Sequence, residues 1–75
     1  MLQKQLGKRI ADLRRSNALT QEGLAEVVGC SVEFISLVER GVNAPSVARL
    51  ERFAEALHVE PRDLFNFEEV DNGKH

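Results

Sequence analysis

Residues 20 to 41, TQEGLAEVVGCSVEFISLVERG, constrain this chain more than any other stretch, because their apolar positions fit two short helices set across a glycine. Thr20 and Ser31 stand where a hydroxyl would cap each helix by accepting from backbone N–H groups that the first turn leaves unpaired. Between them, Gly29 supplies the residue that adopts positive φ without steric cost. Counted from Gln21 as position one, apolar residues fall at four, eight, ten, fifteen and eighteen: Leu24, Val28, Cys30, Ile35 and Val38. Ala25, at position five, is small enough for the two helices to approach closely.

Two helices in this relation form a helix-turn-helix. The stretch resembles the helix-turn-helix of the Cro and lambda-repressor type, the XRE family of DNA-binding transcriptional regulators. VERG, the NAPS loop and LERFAEALHVEPRDLF continue the likeness, which spans residues 3 to 66. It implies an all-α, five-helix lambda-repressor-like domain over residues 1 to 66, followed by an acidic C-terminal tail over 67 to 75.

Seventy-five residues are expected to form one domain, near the size at which a single core is marginal, with no room for a second, ligand-sensing domain. A lone cysteine, no signal peptide and no apolar run of membrane-spanning length predict a cytoplasmic protein without membrane association. Cys30 itself reads as a buried small hydrophobe. The formal charge of −2 runs against the basic surface expected of a DNA binder. Its distribution reduces the conflict: residues 60 to 75 hold five acids against two bases, and the other 59 hold eight bases against seven acids. A near-neutral domain predicts modest non-specific affinity for DNA.

A first helix is expected from about residue 3 to 16, with Leu6, Ile10 and Leu13 on one face and Lys4, Lys8, Arg9 and Arg15 mostly elsewhere as a solvated charged surface. Asn17 is its expected left-handed C-cap. Helix two spans about 21 to 28 and is weakened by Gly23, and helix three follows Ser31 and stops at Gly41. Ser46 caps a fourth helix over 47 to 57 whose apolar stripe is Leu50, Phe53, Ala54 and Leu57; Arg49, Glu51, Arg52 and Glu55 are assigned to its wet side. Pro61 suits the first position of a fifth helix carrying Leu64 and Phe65.

The family resemblance then implies residue roles. Arg14 would pair with Glu39 as a structural ion pair. Gly23 stands where relatives commonly carry the Glu that completes a capping box, and His58 where they commonly end a helix with Gly. DNA contacts would come from Gln21, from Ser31, Val32, Glu33, Ser36 and Leu37 of helix three, and from Arg40 and Asn43 of the following loop, with Phe34 at the margin covering the core edge. The expected function is sequence-specific binding of double-stranded DNA by a small homodimeric regulator at an operator of two-fold symmetry. Leu64, Phe65 and Phe67 are the candidate dimer interface, as apolar side chains that a short monomer struggles to bury. The competing reading is a protein-interaction module on the same fold, antitoxin-like or anti-repressor-like, favoured by the acid excess and the apolar outward face. Scattered single histidines and cysteine, with no metal-ligand or phosphate-loop spacing, argue against an enzyme and predict no catalytic residue, cofactor, metal or small-molecule substrate.

Overall fold

The computed structural model describes residues 1 to 68. Four α-helices appear in order: α1 (Leu2–Ser16), α2 (Gln21–Val28), α3 (Val32–Glu39) and α4 (Val47–Leu57), followed by a 3₁₀ helix at Pro61–Phe65. No strand occurs among the described residues. Of the expected tail, residues 69 to 75 lie outside the described residues.

Local chemistry sets most boundaries. The hydroxyls of Thr20, Ser31 and Ser46 accept from the backbone N–H groups of Gly23, Phe34 and Arg49 at 2.9, 3.0 and 3.1 Å. Each cap thus satisfies one donor that its helix could not pair internally. Gly29 ends α2 at φ 88°, and Gly41 follows α3 at φ 79°.

The helices close on one core in which Ile10, Leu24, Ile35, Phe53, Leu57 and Leu64 have no exposed surface to speak of. Each such side chain stabilises the fold by about 1.5–3 kcal/mol relative to exposure. Cys30 is half-buried and packs against this cluster.

Several expectations require correction. The fifth helix is not α but a five-residue 3₁₀ turn. Its Asp63 carbonyl accepts from Asn66 N–H, three residues on, at 3.2 Å and from Arg9 Nε at 2.9 Å, so the i to i+4 pattern of an α-helix is not established there. Arg9 is correspondingly buried, not part of a solvated face. Leu64 fills the core with 0 % exposure, so it is not available to an intermolecular interface.

At the end of α1 the left-handed residue is Ala18, with φ 59°, while Asn17 keeps φ −92°. Asn17 uses its side chain instead, its Nδ2 donating to the carbonyls of Leu13 at 2.8 Å and Leu57 at 3.2 Å. That bridge ties the end of α1 to the end of α4, and His58, at φ 61°, closes α4 in the position expected of a glycine.

Candidate nucleic-acid interface

With Ile35 and Val38 buried, α3 turns Val32, Glu33, Ser36 and Leu37 to the opposite side. Val32 is 39 % exposed and Glu33 is exposed, while Ser36 and Leu37 are half-buried. Ser31 lies at the start of this face, exposed, with its hydroxyl oxygen already accepting from Phe34 N–H. Arg40 and Asn43 are exposed in the loop at the far end of α3. The loop is held by Val42 and Asn43 N–H groups donating to the Leu37 carbonyl at 2.9 and 3.3 Å.

Behind this same end of α3 lies a buried polar cluster. Arg14 Nε donates to Glu39 Oε2 at 2.7 Å and Arg14 Nη2 to Glu39 Oε1 at 3.2 Å, a two-point contact between α1 and α3. Arg14 Nη1 donates to the Leu19 carbonyl at 2.8 Å, and Gln21 Nε2 donates to Glu39 Oε1 at 3.0 Å. The hydrogen bond to Glu39 raises the Arg14 guanidinium above its ordinary value; burial opposes this and the carboxylate charge reinforces it. Gln21 is therefore fastened to the last residue of α3 and couples the start of α2 to the C-terminal end of the outward face.

Glycine contacts that the sequence reading did not single out fix how α1 meets α3. A side chain at Gly7 would overlap the carbonyl oxygen of Val38 and come within 2.7 Å of that of Glu39. Farther along, a side chain at Gly41 would lie 2.9 Å from Lys4 Cα, and Gln3 Nε2 donates to the Gly41 and Val42 carbonyls at 3.4 and 3.3 Å. One signal of the first contact was present: an interior glycine weakens a helix unless another backbone must come close.

Another side chain missed by the sequence reading is Arg49. It is half-buried, and its guanidinium carbon lies 5.2 Å from the centre of the Phe34 ring. Phe34 is itself half-buried and packs against the core edge.

Elsewhere, Phe65 is 41 % exposed and meets the half-buried Phe67 edge to face, with ring centres 6.3 Å apart. Phe65 also borders a shallow apolar groove with Leu2, Leu6, Pro45 and Leu50. Among the described residues no group of three His, Cys, Asp or Glu side chains is placed to hold a metal ion, and no helix is long and apolar enough to cross a membrane.

The arrangement has counterparts among known proteins. Residues 5–66 match the family model of a helix-turn-helix domain. The HTH-type transcriptional regulator YazB of Bacillus subtilis is 36 % identical over 58 residues, which cover 77 % of this chain and 84 % of that protein. The control protein C.BamHI of Bacillus amyloliquefaciens is 33 % identical over 67 residues, covering 88 % and 83 % respectively. The crystal structure of the restriction-modification controller protein C.AhdI from Aeromonas hydrophila superposes with a TM-score of 0.80 at 37 % identity, over 83 % of this chain and 94 % of that one.

Proposed function

Since this chain belongs to the helix-turn-helix family of DNA-binding transcriptional regulators, of the Cro and lambda-repressor type, we propose that it acts as a homodimer on an operator with two-fold symmetry. In this reading α3 of each subunit enters the major groove, in successive turns about 34 Å apart along the duplex. The carrying observation is the exposed side of α3. It is the one side of that helix not packed into the core, and it is held in place from behind by the Gly7 contact and the Arg14–Glu39 pair.

Val32, Glu33, Ser36 and Leu37 are the proposed readers, with apolar contacts to thymine methyl groups from Val32 and Leu37. Glu33 accepts from a cytosine amino group, and Ser36 serves either base edge. Ser31, Arg40 and Asn43 are proposed to follow phosphates at the two ends of the helix. Gln21 sits at the first turn of α2, where a phosphate contact would add to its bond with Glu39. Control would come through the protein's own concentration or through other proteins, since the proposal requires no cofactor.

Selection of bound fragments from a randomised DNA pool tests this directly. The expected product is a set of sequences with two related half-sites about one helical turn apart. Failure to enrich any sequence, with a folded protein at low salt, would overturn the proposal.

A further inference from the structure

The outward face of α3 carries no cation, although binding to DNA draws much of its strength from neutralised phosphates. Beyond Arg40 at the end of α3, a second cation comes from α4. Its first turn is pinned at Arg49, whose backbone N–H donates to the Ser46 hydroxyl at 3.1 Å, and from there the Arg49 side chain reaches over the Phe34 ring at 5.2 Å. At 100° per residue Phe34 lies on the flank of α3, beside Leu37 of the outward face and away from the opposite flank that ends in Glu39.

A cation–π contact with a ring uses no hydrogen-bond donor, so the N–H groups of the guanidinium stay available to a phosphate, which they can bind bidentately. The contact also limits the rotamer freedom that an exposed arginine would have to lose on binding. No carboxylate among the described residues forms an ion pair with Arg49, so none of them already neutralises its charge.

We infer that Arg49, positioned by Phe34, contacts a phosphate of the DNA strand bordering the groove that α3 enters. This rests on the reading of α3 as the element that enters DNA. Arg49 would then supply, from a neighbouring helix, the attraction that the reading face lacks. Its contact is with the backbone and carries no sequence information of its own.

The test measures affinity against salt for the full chain on its selected DNA, with thermal melts to verify folding. Arg49→Gln is expected to weaken binding to selected and unrelated sequences alike and to flatten the log–log salt dependence by about 0.9 per subunit. Arg52→Gln removes the same charge from the same helix, but its guanidinium lies toward Gly29 in the turn, 3.8 Å from where a side chain there would begin. It should change the slope by less than half as much. Arg49→Lys keeps the charge and loses the bidentate fork, and Phe34→Leu keeps the arginine and loses its platform; each should lower affinity while retaining most of the slope. These two variants carry the test if Arg49→Gln does not fold, and parental affinity in both would overturn the assignment.

A parental salt slope in folded Arg49→Gln, equal effects of Arg49→Gln and Arg52→Gln, or a changed selected sequence would also overturn it, while leaving α3 as the reader. If the parent binds no selected DNA at all, the reading of α3 falls and this contact falls with it.

Discussion

Gly7 of α1 lies against the carbonyl of Val38 in the last turn of α3, so close that even a methyl group at residue 7 would overlap it. The approach lets the backbone of one helix rest directly on the other. Gly41, at positive φ and against Lys4, repeats the contact just past the end of α3. Together they set the distance and tilt at which α3 is presented.

Gly7→Ala therefore opposes two effects. Alanine gains about 1 kcal/mol in helix propensity. Forcing the added carbon against fixed backbone atoms costs about 1–3 kcal/mol or more, because neither carbonyl belongs to a side chain that can swing aside. Net destabilisation is expected in urea unfolding, together with weaker DNA binding; a variant more stable than the parent would show that α1 and α3 are not in backbone contact.

The Arg14–Glu39 pair should behave as a buried couple. Side-chain exposures of 11 % and 7 % leave little water to screen either charge once its partner is removed. Glu39→Ala is expected to cost about 3–5 kcal/mol, most of it from stranding the guanidinium. Because the folded state raises the arginine above an already high ordinary value, the arginine's contribution is fully present below its unfolded value and is lost only in still stronger alkali. Stability curves at neutral and mildly alkaline pH should therefore show no loss from Arg14 titration.

Gly23 offers the opposite outcome to Gly7. Its φ is not positive, and an added carbon would meet only side-chain atoms, Thr20 Oγ1 at 3.3 Å and Leu19 Cδ2 at 3.4 Å. Gly23→Ala keeps the N–H that Thr20 caps and should stabilise the protein by about 0.5 kcal/mol, read as a raised denaturation midpoint.

Of the three side chains expected at a dimer interface, Phe65 and Phe67 remain, since Leu64 is committed to the core. Phe65→Ala with Phe67→Ala should give a folded monomer by analytical ultracentrifugation. A dimeric double variant would move the interface to another surface.

Base reading by α3 predicts a change of preference without a change of fold. Replacing Val32 and Glu33 by Gln should alter the sequences recovered from a random pool, and Glu33→Ala should relax preference at a C·G pair. Bidentate base contacts are worth about 1–3 kcal/mol each, and the parental face has no Arg or Gln to make them, so parental discrimination should be modest and lean on DNA shape. Recovery of the same sequences by all variants would leave a protein partner as the better candidate for this face.

What the sequence alone determined is what depends on neighbours within a few residues. The caps at Thr20, Ser31 and Ser46, the left-handed Gly29 and Gly41 and the inward spacing of Ile35 and Val38 are all local, and each is found where the residues place it. Tertiary structure decided what depends on a partner far along the chain. Arg9 is buried because its Nε reaches the Asp63 carbonyl, 54 residues on, and the same carbonyl is part of a 3₁₀ turn where Pro61 suggested a fifth helix. Asn17 serves as a bridge to Leu57 and passes the left-handed conformation to Ala18; Leu64 enters the core, and Arg49 leaves the solvated face for the Phe34 ring. Helical period distinguishes an inward from an outward direction, but the choice between solvent, core and another helix's backbone is made only when distant segments meet.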